Sequence, residues 1–250
     1  VVFRGSPHFA YSLFLIKFYL YQPIPRFIFK SCFLPSLFTM STSPQTPESN
    51  QQLTKDNASQ RRESESTPSS SELTSVTLTL RKALRNFPDF PIPGIDFVDI
   101  LPLFASHHLH ESLIRALELQ VLLVNNGKKP DVIVGLDARG FLFGPSLALR
   151  LGAGFAPVRK RGKLPGPTEE ASFEKEYGQD YFQIQKDAIK PGQSVLVVDD
   201  IIATGGSAQA AGKLVEQLGG NCMGYLFILE LDFLKGRDKL NAPVATLLRD

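Results

Sequence analysis

An α/β fold with a parallel central sheet is what this sequence predicts, on three observations. Short apolar runs at Asp131-Val-Ile-Val-Gly-Leu136, 154–158, Ser194-Val-Leu-Val-Val198 and 222–229 alternate with segments of helical period. The runs at 131–136 and 194–198 are apolar at nearly every residue rather than at every second one, which is how strands read when helices cover both faces of a parallel sheet. Finally, the residues just after Leu136, Val158 and Val198 are rich in acids, cations and glycine, and ligands of such sheets bind outside the carboxyl ends of the strands.

The elements follow in order. Val76, Leu80, Ala83, Leu84 and Phe87 recur at helical spacing, and three prolines between Pro88 and Gly94 stop that helix. A second helix is expected over Leu109, Leu113, Leu117, Val121 and Val124, ending near Gly127. The strand at 131–136 leads to a helix over about 141–151, then to a strand at 154–158. Residues 159–179 read as a long polar, glycine-rich and charged stretch. The run at 194–198 precedes a helix over 207–218 and a last strand at 222–229. No internal repeat of 20–50 residues is present.

The flanking sequence is of another kind. Residues 1–39 carry four basic residues, no acid and eleven of the chain's 25 aromatics. The apolar run 9–21 is broken by Lys17 and falls short of the roughly 20 residues of a membrane span. The first methionine is Met40, so 1–39 reads as sequence upstream of a natural start there, with a targeting segment as the other reading. In 40–75, 24 of 36 residues are Ser, Thr, Pro, Asn or Gln, too little apolar surface to offset the entropy of ordering, and a disordered tail is expected. The domain proper is then 76–250, with twenty basic and twenty acidic residues. That balance speaks against a nucleic-acid binder relying on a basic face. Two cysteines, Cys32 and Cys222, build neither a disulfide framework nor a four-ligand zinc site, which fits a reducing compartment. His107, His108 and His110 lack metal-ligand spacing and read as solvated residues at a helix start.

The chemistry concentrates at Val195-Leu-Val-Val-Asp199-Asp200-Ile-Ile-Ala203-Thr204-Gly205-Gly206-Ser207. The glycines let backbone approach a ligand, the N–H groups at a helix N-terminus suit a phosphate, and the Thr204 and Ser207 hydroxyls add donors. Asp199 and Asp200 would repel that phosphate if aimed at it, but suit ribose hydroxyls or magnesium. A sugar phosphate satisfies both halves. Neither a Walker A loop nor a G-x-G-x-x-G fingerprint is present. Asp137-Ala138-Arg139-Gly140 offers a second anion site at a strand end, for which a buried Arg139 paired with an acid is the structural alternative. Arg159-Lys160-Arg-Gly-Lys163 forms a compact positive cluster.

The Asp-Asp-x-x-Ala-Thr-Gly-Gly-Ser sequence resembles the phosphoribosyl pyrophosphate (PRPP) motif of type I phosphoribosyltransferases. Phe87-Pro-Asp-Phe-Pro-Ile-Pro-Gly94, Gly135-Leu-Asp-Ala-Arg-Gly-Phe-Leu-Phe-Gly-Pro145 and Ile184-Gln-Lys-Asp-Ala188 resemble the adenine-specific branch, over about 78–248. The resemblance implies a central parallel sheet at 130–230, a small hood built from the N-terminal core segment and 159–180, a homodimer in the cytoplasm, and adenine and PRPP as substrates, with no nucleic acid or membrane partner. It implies magnesium held mainly through substrate, and transfer without a covalent nucleophile. It places the 5-phosphate and ribose on Asp199, Asp200, Ala203, Thr204, Gly205, Gly206 and Ser207. Pyrophosphate falls to Asp137, Ala138 and Arg139, with a strained backbone at the Asp137–Ala138 peptide, and to Arg159, Lys160 and Lys163. Phe97 and Ile201 sandwich the purine, and Glu176 is the acid near it. Asp96 and Val98 depart from the family pattern beside Phe97, which usually has an apolar residue before that aromatic and Arg after it. A PRPP-binding regulator without catalysis, and another purine base, are the competing readings.

Overall fold

The computed structural model describes residues 2–3, 70–90, 93–175 and 178–249. The tail and upstream readings of 1–69 therefore lie outside the described residues, apart from strand β1 (Val2–Phe3), which pairs antiparallel with β3 (Ile95–Asp99). Helix α1 runs Ser70–Ala83, so it starts six residues inside the segment read as tail. Serine and threonine give that stretch little helical signal. Tertiary contact supplies what propensity lacks: Leu73 and Val76 pack against the core and Glu72 pairs with Arg115 at 2.8 Å.

Strand β2 (Arg85–Phe87) pairs antiparallel with β3, tied by the buried Asp99 carboxylate, which accepts from Arg85 and from the Leu101 N–H. A short helix α2 (Pro102–Ala105) leads into α3 (His107–Val124). Strand β4 (Val132–Leu136) and a single 3₁₀ turn at Arg139–Phe141 are followed by α4 (Gly144–Leu151) and β5 (Gly154–Lys160). The polar stretch expected after 158 is largely strand. β6 (Thr168–Lys175) and β7 (Gly178–Gln185) form a hairpin whose second strand pairs with the end of β5. Alternation in Ala171, Phe173, Phe182 and Ile184 buries one face of it, a period-2 signal that the surrounding charges masked in the sequence.

Strand β8 (Ser194–Ile202), helix α5 (Gly206–Gln217), β9 (Asn221–Glu230) and β10 (Val244–Arg249) complete the chain. The seven-stranded sheet has the order β10-β9-β8-β4-β5-β7-β6, parallel from β10 to β5 and antiparallel in the hairpin. β10, unforeseen in the sequence, is a short strand added at the edge.

Strand alternation divides the core into two layers. Ile133, Leu196, Val198, Leu226 and Ile228 face Leu113, Leu117 and Leu147 of α3 and α4. Val132, Val134, Val195, Val197 and Phe227 face Ala208, Ala211 and Leu214 of α5. At the β9 end, the Glu230 carboxylate is 3% exposed, accepts from Arg237 and from the Thr246 hydroxyl at 3.2 Å, and forms an ion pair with Arg249 at 3.5 Å. The Arg237 hydrogen bonds hold that carboxyl below its ordinary range.

Two outcomes follow from this packing. Leu147→Ala, at a position with no exposed surface, is expected to cost about 2–5 kcal/mol, read as a lower urea midpoint at unchanged slope. For Glu230, the folded pKa lies below the unfolded value of about 4.3. Its stabilisation is therefore present at neutral pH and is lost as pH falls through the folded value. Urea unfolding between pH 7 and 3 should accordingly show a steeper acid loss in the wild type than in Glu230→Gln.

Candidate active site

The ends of β5, β4 and β8 lie side by side. Leu136 is in register with Val158 and Gly135 with Val198, so the residues after each strand emerge at one edge of the sheet. The Asp137 N–H donates to the Val158 carbonyl at 3.0 Å and extends that ladder by one residue. Three chain segments distant in sequence thus converge on one cleft.

Asp199 and Asp200 belong to β8 itself, because the ladder with β9 runs on to Ile202 opposite Glu230. The apolar run read from the sequence stops at Val198, just before them, but the strand continues through both acids, which are 6% and 4% exposed. The Asp200 N–H donates to Asp199 Oδ1 at 3.0 Å. Arg139 Nε lies 2.8 Å from Asp200 Oδ2, so the second acid is tied to the loop after β4. The structural alternative read for Arg139, a partly buried guanidinium paired with an acid, is thus realised within the cleft itself. Arg159 Nε likewise meets Asp137 Oδ2 at 3.2 Å, and its Nη1 donates to the Lys163 carbonyl at 3.3 Å. Lys160 Nζ pairs with Asp180 Oδ2 of the hairpin at 3.4 Å. The cationic segment 159–163 is thus not a free loop: it is pinned to Asp137 on one side and to β7 on the other.

Close backbone contacts shape the segment 137–141. The Asp137–Ala138 peptide is cis. A Cβ on Gly140 would sit 2.7 Å from the Val198 carbonyl oxygen, and Cβ atoms on Gly135 and Gly144 would strike the Phe155 ring at 2.8 and 2.6 Å. Only glycine lets this turn lie against β8 and β5.

Beyond β8, Ala203, Thr204, Gly205, Gly206 and Ser207 turn into α5. Gly205 occupies the left-handed region at φ 80°, and no side-chain cap hydrogen bond is made at the N-terminus of this helix. Thr204 is exposed and Ser207 half-buried.

Phe97 and Ile201 come together in one apolar cluster with Leu229, Leu231 and Leu234, although 104 positions separate them in the chain. Phe90, half-exposed, adds an edge-on ring contact with Phe97 at 5.3 Å between centroids. Val98 packs into the same cluster, so the departure from the family pattern there extends the apolar surface. Glu176 lies outside the described residues. The arms of its hairpin are held at the base by Arg161, which pairs with Glu170 and stacks 3.6 Å over the Tyr181 ring. That pairing keeps the Glu170 carboxyl below its ordinary range. His107, His108 and His110 lie at the start of α3, and no group of three metal-ligating side chains occurs among the described residues. Sequence reasoning missed Gly236, which packs against the 203–207 turn, and the Glu230–Arg237 pair that adjoins it; the trace in the sequence was the Lys235-Gly236-Arg237 triplet.

Comparison with known proteins agrees with this geometry. The phosphoribosyl transferase domain matches residues 105–241. The adenine phosphoribosyltransferase of Yarrowia lipolytica is 60% identical over 176 residues, 70% of this chain and 97% of its own length. That of Debaryomyces hansenii is 57% identical over 177 residues, 71% of this chain and 93% of its own. The crystal structure of the Saccharomyces cerevisiae enzyme, complexed with an imino-altritol bisphosphate and adenine, is 58% identical and superimposes with a TM-score of 0.68, covering 70% of this chain and 99% of that one. Similarity of this extent, carried nearly end to end through the relatives and over every strand that builds the cleft, shows that this chain belongs to the adenine phosphoribosyltransferase family and has its type I fold.

Proposed function

We propose that this chain transfers the 5-phosphoribosyl group of PRPP to adenine, giving AMP and pyrophosphate. The observation that carries the reading is the convergence of the Asp199–Asp200 pair, the 203–207 turn and the Asp137–Arg139 segment at one sheet edge. In this reading they are an acid pair for a ribose, a cradle for a phosphomonoester and a cationic wall for a diphosphate, the three groups that PRPP presents.

The 5-phosphate sits on the backbone N–H groups of Ala203, Thr204, Gly205, Gly206 and Ser207, with the two hydroxyls as further donors. Asp199 and Asp200 accept from the ribose hydroxyls, and their negative charge favours the oxocarbenium character that grows at C1 as its bond to pyrophosphate breaks. The departing pyrophosphate gathers charge, which Arg139, Arg159, Lys160 and Lys163, with the backbone at Asp137 and Ala138, receive. Pairs such as Arg139–Asp200 and Arg159–Asp137 hold those guanidinium groups in place beforehand, so little reorganisation is left for the reaction. Phe97 and Ile201 hold the adenine ring flat while its ring nitrogen attacks C1, and Glu176 takes part in hydrogen bonding or proton handling on the purine. A lid over this centre keeps water from competing for C1.

The donor set suits magnesium. Two buried carboxylates are hard oxygen donors that suit such an ion, and in this reading it is held mainly through the oxygens of PRPP. When bound, it supplies neutralisation of the pyrophosphate charge. A homodimer is the working assembly in this reading. It is supported by the apolar Leu142 and Leu149, the latter 84% exposed, on the segment that follows the pyrophosphate turn. The two-cysteine composition supports a cytoplasmic setting.

Asp200→Asn and Gly205→Val should each lower kcat/KM by at least about a hundredfold, the scale of losing a positioned charge or donor. The measurement is AMP formation from PRPP and magnesium with adenine, hypoxanthine, guanine and xanthine offered separately. Adenine alone should give product. A different preferred base would trace to Asp96 and Val98, and tight PRPP binding without product would indicate a regulator.

A further inference from the structure

A loop that cradles a phosphate with its backbone needs something rigid behind it, and here that support comes from a turn 30 residues further along the chain. Strand β9 ends at Glu230, and two short 3₁₀ turns, Asp232–Leu234 and Gly236–Lys239, bring the chain back under the 203–207 segment. Lys235 between them adopts the left-handed conformation at φ 51°, which reverses the chain so that Gly236 is buried. The contact is backbone on backbone. A Cβ on Gly236 would collide with the Ala203 carbonyl oxygen and stand 2.8 Å from the Gly205 nitrogen. Conversely, a Cβ on Gly205 would collide with the Gly236 carbonyl oxygen. Each glycine is required by the other.

The supporting turn is itself anchored. Arg237 engages both oxygens of the buried Glu230 carboxylate, Nε to Oε1 at 2.5 Å and Nη2 to Oε2, a fork that fixes orientation as well as distance. On the other side, Gln209 Nε2 in the first turn of α5 donates to the Lys239 carbonyl at 3.2 Å. The loop is therefore gripped between a turn clamped to β9 and the helix it opens.

We propose that Gly236, clamped by the Glu230–Arg237 pair, is a positioning residue for the substrate's 5-phosphate: it sets the shape of the 203–207 turn without touching the ligand. This rests on the reading of that turn as the phosphate cradle. Any side chain at 236 lifts the turn away from its support, and loss of the Arg237 fork lets the support shift. In both cases the N–H groups lose their convergence on one anion. The ring-binding cluster at Phe97 and Ile201 shares Ala203 and Leu234 with this region but is also held by the buried Leu229, Leu231 and Leu248, and is expected to keep its shape.

The test compares AMP with adenosine, which differ by the phosphate alone, as ligands of the full chain, measured by titration calorimetry. In the wild type AMP should bind at least about a hundredfold tighter than adenosine, as charge-assisted hydrogen bonds to a phosphate require. In Gly236→Ala and in Arg237→Met that ratio should fall by at least about tenfold through weaker AMP binding, with adenosine affinity within about twofold of the wild type and KM for PRPP raised in parallel. Glu118→Gln, which breaks a comparable ion-pair cluster with Arg115 and Arg150 in the opposite helix layer, should leave the ratio unchanged. If Gly236→Ala fails to fold, Arg237→Met carries the test. A wild-type ratio retained in the folded variants overturns the proposal, as does an equal loss in Glu118→Gln or a parallel loss of adenosine binding. A wild type with no preference for AMP overturns the cradle reading itself, and the proposal with it.

Discussion

Everything at the cleft depends on the parallel register of β4 between β5 and β8. Parallel strands end together, so the three segments that follow them open on the same edge. Because the strands are covered by helices on both faces, their register is fixed by two apolar layers at once, and a slip of one residue would turn every side chain to the wrong layer. The position of the acid pair relative to the cationic wall is therefore set by core packing at some distance from it, through Ile133, Val198 and their partners.

Backbone contacts then refine that placement. Gly140 against the Val198 carbonyl, and Gly205 against Gly236, are places where two main chains approach more closely than any side chain allows. Such contacts leave little freedom to the turns they support, which suits the proposed phosphate cradle at 203–207, where the donors would be mostly peptide N–H groups. A peptide donor cannot re-aim itself as a rotamer can, so its direction must be built into the fold. The same logic explains the ion pairs. Arg139 with Asp200 and Arg159 with Asp137 link one loop to the next, so that the charges of the site are also the ties that hold its loops in position.

The hairpin β6–β7 plays a different part. Its base is secured by Phe182 and Ile184 in the core and by Arg161 with Glu170 and Tyr181, so the element is firm where it leaves the sheet. Its charged sequence hid the strands because the apolar residues of the buried face alternate with polar or charged ones such as Ser172, Glu174 and Gln183. By contrast, β4 and β8 stood out plainly, since burial on both faces leaves an unbroken apolar run.

Local chemistry is what the sequence determined by itself. The apolar runs named the central strands, the acid pair and glycine turn pointed to a sugar-phosphate site, and the resemblance to a known family, rather than residue type or spacing, singled out Asp137, Arg139 and Arg159 as a pyrophosphate site. Only the tertiary structure decided how these pieces meet. It brought Phe97 beside Ile201, paired Arg139 with Asp200, extended β8 so that the acids are buried within it, began α1 at Ser70, and placed Gly236 behind Gly205. The reason is physical: each of these depends on contacts between segments far apart in the chain, and the free energy that selects them comes from packing and from pairing buried charge, neither of which local propensity or spacing encodes.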